Sequence, residues 1–455
     1  MPRFGAEYSC FCQKLGLQLK ATPESEVLHT PSLRTPSGPE DDFCPDQDLL
    51  RWMEQNFAQY GDIYRAKLYG QLVYVINSPE YAEHVLLKNW QNYLRKGQAV
   101  KRIAFSLGNG LISSNGEFWV KQRRMIQPAF KREAVAVSHD VFVKTSLALR
   151  EKWKRAALEG RAVDVTRDVS LAVLETTLLC IFGDDYERVA AHFSIIAEES
   201  RNLEFAQTCR ALAEMIVGIV RGRRGAGLDA EDILGSMMRA RQRDNGEPMP
   251  DAQLAREALT LVIAGHETTA SVLNWVWYLL ARFPQVEAKL SAEIERLLED
   301  DFPAYDALPA FGYAHQVLEE ALRCYPPLWL MTRKAIKADR LGDYLVAAGT
   351  EIYISPYVLQ RHPCLWDAPD QFDPERFAPA DPDQRPPLAM CPFGAGPRNC
   401  IGEYFARIEM QVHLLTIAKE LRLRHDAQQP AEWVAGVNLL SRDHFVMYPQ
   451  LRAKV

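Results

Sequence analysis

The residue whose type and setting are best suited to chemistry is Cys400, in the glycine-rich run Phe393-Gly-Ala-Gly-Pro-Arg398-Asn-Cys400-Ile-Gly402. Such a loop, running into a helix, aims backbone N–H groups and the positive end of the helix dipole at the sulfur. That environment favours a thiolate, and a thiolate is a metal ligand. Gly394, Gly396 and Gly402 allow the backbone to come close to the sulfur. Cys391, earlier in the same stretch, reads as a core cysteine. A second pair with chemical potential is Glu267-Thr268 in Ala264-Gly265-His266-Glu267-Thr268-Thr269. An acid beside an alcohol in apolar surroundings can relay protons. The plainer alternative is a threonine bonded to the Ala264 carbonyl four residues back and a glutamate in an ion pair. Glu320 and Arg323 are three apart, as are members of a helical ion pair, and Trp119 and Arg123, four apart, share a helix face.

These residues need elements to hold them. Ala258–Ala281 is the most apolar long stretch, but His266, Glu267, Thr268, Thr269 and Asn274 interrupt it. A buried helix fits better than a membrane span, because a charge near a bilayer centre is costly. Asp251 is expected to cap this helix, and Pro284 to end it and start another with Val286, Leu290, Ile294 and Leu297 on one face. The Glu320–Arg323 helix must stop before Pro326-Pro327. Ile63–Ile76 predicts a β-hairpin turning at Gly70-Gln71, and Ser78-Pro79-Glu80 a helix start. Residues 221–229, RGRRGAGLD, read as a mobile loop between helices. Short strands are expected over 341–359, an irregular Pro- and Asp-rich stretch over 362–398, a last helix after Cys400, and short closing strands. Residues 1–40 read as a loosely structured arm and 41–455 as one mainly α domain with small β-sheets.

Composition sets bounds. The 455 residues are 47% hydrophobic and 25% charged, enough for a large core with room for a bound molecule. A net charge of −6 gives no global pull toward nucleic acid. Nine cysteines, an odd number in a large chain, predict a reducing compartment rather than a disulfide framework. The Cys10–Cys12 pair has no matching second pair and does not read as a zinc site. The N-terminus lacks the apolar core of a signal peptide or anchor, so a soluble, cytoplasmic protein is expected.

Four motifs in order, around Cys400, Glu267-Thr268, Glu320–Arg323 and Pro374-Glu375-Arg376-Phe377, with Trp119 and Arg123 as a weaker fifth, resemble the cytochrome P450 family of haem-thiolate monooxygenases. The resemblance runs from about residue 60 to the C-terminus. It implies the cytochrome P450 fold, with haem b buried between the long central helix and the helix after Cys400. Cys400 would be the iron ligand, an anionic sulfur that favours O–O cleavage. Phe393 would shield the loop, Gly402 would approach the sulfur, and Arg398, Trp119, Arg123 and Arg333 would contact the haem propionates. An exposed strand charge is the alternative for Arg333. Glu267 and Thr268 would form the acid–alcohol pair, and Gly265 would leave room for oxygen. Arg376 would join Glu320 and Arg323 in a structural ionic cluster. Ile112, Ala264, Leu328 and Leu330 would line an apolar pocket, with His266 touching substrate or bonding within its helix.

The implied reaction inserts one atom of O2 into an apolar organic substrate, by hydroxylation or epoxidation. Little chain follows Cys400, so electrons, ultimately from NAD(P)H, are expected from a separate donor such as a ferredoxin with its reductase. Lys121, Arg124, Lys131 and Arg132 would give that donor a basic docking face or simply be solvated. Alternatives are a peroxide-driven hydroxylase, which would not need the Glu267–Thr268 relay, and an atypical family member that is not a monooxygenase. A haem-binding sensor or carrier is a reading from a different class. Loose similarity to lipid-oxidising branches favours a long or bulky substrate.

Overall fold

The computed structural model describes residues 33–44, 47–95, 104, 107–196, 203–378, 385–426 and 430–452. The Cys10–Cys12 pair and most of the expected N-terminal arm lie outside the described residues. The chain is mostly helical with small sheets. In chain order the principal helices are α1 (Leu49–Tyr60), α2 (Gly116–Ile126), α3 (His139–Leu158), α4 (Val165–Phe182), α5 (Leu203–Gly225), α6 (Asp251–Arg282), α7 (Pro284–Leu297), α8 (Gly312–Cys324) and α9 (Glu403–Ala418). The strands are β1 (Ile63–Leu68), β2 (Gln71–Ile76), β3 (Tyr93–Leu94), β4 (Val163–Asp164), β5 (Met331–Ala335), β6 (Asp339–Leu341), β7 (Tyr344–Val346), β8 (Glu351–Ile354), β9 (Leu421–Arg424), β10 (Trp433–Ala435), β11 (Leu439–Ser441) and β12 (Val446–Leu451). These elements form two compact units, one from described residues up to 95 with 329–367 and 385–398, the other from the remainder.

The first unit is built on a five-stranded sheet in the order β1-β2-β8-β5-β3. Its one parallel pairing is β2 with β8. The β1–β2 hairpin turns one residue earlier than the sequence suggests. Tyr69 and Gly70 both adopt left-handed backbone, with φ of 52° and 76°, and Gln71 pairs with Leu68. Two consecutive left-handed residues match the twist of the flanking strands. Ser78 caps the short helix Pro79–Glu83, as its sequence predicts. Residues of the expected arm that are described are tied in: Arg34 bridges to Tyr344, and the Arg65 N–H donates to the Ser37 carbonyl at 3.0 Å.

The second unit is helical, and α6 is its axis, packed against α4, α5 and α8. This 32-residue helix is apolar around most of its circumference, which is why most of it is buried. It ends at Arg282, before Pro284, which begins α7; Val286, Leu290 and Ile294 are buried there and Leu297 is half-buried. The start of α6 differs from expectation. Pro250 occupies the cap position, and Asp251 is the first helical residue, paired with Arg224 at 3.1 Å. A carboxylate in the first turn still opposes the helix dipole, so its benefit is kept without the capping bond.

The arginine-rich run at 221–229 is also not a free loop. Helix α5 continues to Gly225, and buried Arg223 pairs with Asp185 and Asp232, each at 2.8 Å. It also donates to the Phe182 carbonyl at 2.6 Å. A glycine costs a helix about 1 kcal/mol; this ion-pair set holds the helix through two of them. Trp153, Trp275 and Trp277 fill the core, Trp275 stacking on Tyr325 at 3.8 Å. The chain closes with the β4-β12-β9 sheet and the β10–β11 hairpin.

Candidate active site

Cys400 lies two residues before Gly402, the N-cap of α9. The sulfur is reached by solvent, yet protein surrounds it on most sides, as in the wall of a concavity. Burial pushes the thiol up to about 11; the Gly402 backbone N–H pulls it down, Glu403 pushes it up further, and the Arg123 guanidinium pulls it down. The concavity beside it, about 580 Å³, is lined by Arg123, Lys131, Arg132 and Arg407 against Glu133 and Glu403. Arg123 on α2 donates through Nη1 to the Asn399 carbonyl at 2.8 Å and through Nη2 to Asn399 Oδ1 at 2.9 Å. Arg123 thus grips the residue before the sulfur. Trp119 is buried on the same helix.

The earlier part of the loop, through Arg398, belongs to the first unit. Gly396 has φ +70°, and a Cβ there would sit 2.1 Å from the Leu86 carbonyl oxygen. No side chain fits, and the loop owes its close approach to that backbone to glycine. Phe393 and Arg398 are half-buried. Arg333 is buried on β5, where burial, then Arg95, then Arg398 push its guanidinium down to about 9. Two further guanidinium groups thus act on Arg333, a setting that suits a group bearing carboxylates.

The residues of each unit suit a part of haem. In the second unit a single sulfur could serve as iron ligand; in the first, Arg333, Arg95 and Arg398 carry the positive charge that carboxylates would meet. Among the described residues no group of three or more His, Cys, Asp or Glu could hold a metal by itself.

On α6, the Thr268 hydroxyl donates to the Ala264 carbonyl at 2.7 Å, and the helix runs unbroken through this turn. Asn438, in the β10–β11 turn, donates through Nδ2 to Glu267 Oε2 at 2.5 Å. His266 is buried against α4, with Nε2 2.9 Å from Ser170 Oγ and 3.1 Å from the Ser170 carbonyl. Its bonding runs to a neighbouring helix and not within its own. Burial lowers its basicity, with Glu267 and the Ser170 backbone opposing. Gly265 also turns to α4: a Cβ there would meet Thr177 Cγ2 at 3.5 Å. That is an ordinary van der Waals contact. Ile112, Ala264, Leu328 and Leu330 are all left partly exposed despite being apolar.

The segment carrying Ile112 is tied to α6 by a residue that no motif flags. Fully buried Glu257 accepts from the Leu111 N–H at 2.9 Å and from Gln253 Nε2 at 2.8 Å. Burial pushes this carboxyl from 4.5 up to about 7, although both donors pull it down. Between those values the folded protein holds a proton that the unfolded chain has released. Stability should therefore fall by about 3 kcal/mol as pH rises across that window. Glu257→Gln keeps an acceptor for Leu111 and removes the titration. Urea denaturation should find the variant more stable than the parent at pH 8, with the gap closing by pH 5. A variant that loses stability at pH 8 would refute the assignment.

The ionic cluster is closed. Arg323 donates to both carboxylate oxygens of Glu320, at 2.6 and 2.7 Å, and Arg376 donates to Glu320 Oε1 at 3.1 Å. Asn399, Arg95, Glu257 and Asn438 are the site residues that sequence reasoning missed. Each acts through a partner far along the chain, which spacing does not reveal.

The family model for cytochrome P450 matches residues 42–197 and 196–439. Cyclooctatin synthase of Streptomyces melanosporofaciens is 31% identical over 80% of this chain and 83% of its own. Cyclooctat-9-en-7-ol 5-monooxygenase of the same organism is likewise 31% identical, with the same coverage. Human cytochrome P450 4F8 is 31% identical over 71% of each chain. The crystal structure of the cytochrome P450DA heme domain superposes with a TM-score of 0.82 at 25% identity, covering 92% of this chain and 97% of that one. With a cysteine loop, a mid-helix acid–alcohol pair and relatives of this kind, the chain belongs to the cytochrome P450 family and is a haem-thiolate monooxygenase.

Proposed function

We propose that the enzyme inserts one oxygen atom from O2 into a bulky, largely apolar substrate and reduces the other to water, using two protons and two electrons from an external donor. When bound, haem supplies the centre that accepts electrons and cleaves dioxygen. Cys400 is its ligand, and Phe393 and Gly402 guard the sulfur. Arg333, Arg398 and Trp119, joined by Arg95, hold the propionates, while Arg123 fixes the ligand loop through Asn399. Residues 41–455 act as one catalytic domain.

The observation that carries the reading is the acid–alcohol pair on α6. Thr268 Oγ1 holds a proton that it shares with the Ala264 carbonyl. On leaving that carbonyl it becomes a donor to the site. Glu267, half-buried and held by Asn438, can take up a proton and pass it on. A peroxide-driven enzyme would not need this relay.

Ile112, Ala264, Leu328 and Leu330 would form the pocket walls. The Streptomyces relative named for cyclooctat-9-en-7-ol supports a cyclic, hydrocarbon-rich substrate. The basic lining of the concavity beside Cys400 supports an acidic electron carrier, such as a ferredoxin with an NAD(P)H-dependent reductase. A cytoplasmic setting is supported by the free thiols of all seven described cysteines. Among the described residues no helix is long and apolar enough to cross a membrane.

Thr268→Ala tests the reading. The reduced, carbon-monoxide-bound thiolate spectrum should be unchanged. Hydrogen peroxide released per NADPH consumed should rise at least about ten-fold. Unchanged partition between peroxide and water would remove Thr268 from the relay.

A further inference from the structure

We infer that Asn438 is the positioning residue for the Glu267 carboxylate, set against it by the β10–β11 hairpin. The inference rests on the relay reading of Glu267 given above.

The hairpin holds α6 at two successive turns. Asn438 Nδ2 reaches Glu267 Oε2 at 2.5 Å, and one turn later Ser271 Oγ donates to the Leu439 carbonyl at 2.7 Å. Glu267 and Ser271 are four apart and share a helix face. Consecutive hairpin residues thus meet consecutive turns of the helix. The hairpin is itself anchored, since the Leu439 N–H donates to the Pro327 carbonyl and the Gly436 N–H to the Asn438 carbonyl, at 3.0 and 3.1 Å. Asn438 is buried, so water does not compete freely for its amide.

A glutamate on a helix has three rotatable bonds, and only some rotamers bring its carboxylate to a relay path. A buried amide donor on a rigid hairpin selects one. A hydrogen bond to a charged group is worth more than one between neutral groups, so the selection is strong. Asn438 does not touch the reacting atoms; it acts by holding Glu267.

Asn438→Leu removes the donor and keeps the branched outline of the side chain. Asn438 is not among the left-handed residues, so the backbone accepts the change. Four proteins are compared: the parent, Asn438→Leu, Glu267→Gln and the double variant. Each is loaded with haem and supplied with NADPH, a ferredoxin and its reductase, without added substrate. Asn438→Leu should keep the carbon-monoxide spectrum and raise peroxide per NADPH roughly ten-fold. On the Glu267→Gln background it should add nothing. Asn438→Gln, which keeps an amide donor, should restore part of the partition.

Infrared difference spectra between each protein and its Glu267→Gln counterpart isolate the Glu267 carboxylate without turnover. Asn438→Leu should shift that band. An unmoved band, or a full Asn438→Leu effect on the Glu267→Gln background, would overturn the positioning role. Peroxide rising in Glu267→Gln but not in Asn438→Leu would overturn the positioning alone. Unchanged peroxide in Glu267→Gln would overturn the relay itself.

Discussion

Cys400→Ala will fold, and it will lose the thiolate signature in the reduced, carbon-monoxide-bound spectrum along with all measurable oxygenation. The sulfur sits at the wall of a concavity, so deleting one atom there leaves little buried void and costs the fold little. The surrounding loop does not depend on it. Arg123 grips Asn399 through the Asn399 carbonyl and side chain, and Gly396 is seated against Leu86. The chemical loss is total because no other described side chain offers a sulfur in this setting. Cys391 is the internal control: it is buried, and burial alone pushes its thiol up to about 12. Its N–H donates to Gln360 Oε1 at 3.0 Å, which gives it a structural place. Cys391→Ala should keep the spectrum. A thiolate band surviving in Cys400→Ala, or lost in Cys391→Ala, would reverse the assignment.

Much of this site was legible because its chemistry demands local patterns. Gly402, whose backbone N–H reaches the Cys400 sulfur, lies two residues after it. Glu267 and Thr268, proposed as an acid–alcohol pair, are neighbours in the chain and lie on one helix turn. An ion pair within a helix shows itself by a spacing of three. Prolines likewise marked the ends of α6 and α8, since a ring without an N–H ends a helix wherever it falls.

What stayed hidden depends on residues brought together only by folding. Asn438 lies 171 positions from Glu267, Leu111 lies 146 from Glu257, and Asn399 lies 276 from Arg123. Nothing local marks any of these as a partner. The RGRRG run misled for the same reason. Local propensity favours a break there, and Asp185 and Asp232, from elsewhere in the chain, override it through Arg223.

Arg323→Ala will be the most destabilising single substitution among the site's supporting residues. Arg323 and Glu320 are completely buried. Besides its two bonds to Glu320, the Arg323 guanidinium donates to the carbonyls of Pro369 and Gln371, at 2.8 and 3.0 Å. It thereby ties α8 to the segment that carries Arg376. Truncation leaves the Glu320 carboxylate buried with only the Asp373 N–H and Arg376 Nε, at 2.9 and 3.1 Å. Breaking such a pair from one side costs about 3–5 kcal/mol, against a total stability of about 5–15 kcal/mol for a typical protein. Haem-loaded protein should therefore be recovered poorly, and its urea midpoint should fall steeply. Lysine should not rescue, because a point charge cannot serve two carboxylate oxygens and two carbonyls at once. Arg376→Ala removes longer bonds, to Glu320 at 3.1 Å and to the Gln371 carbonyl at 3.4 Å, from a side chain nearer the surface, so it should cost clearly less. The decisive measurement is the ranking by urea denaturation of the two variants. Equal losses, or an Arg323→Ala loss below about 1 kcal/mol, would mean that the cluster is not the buried keystone its geometry describes.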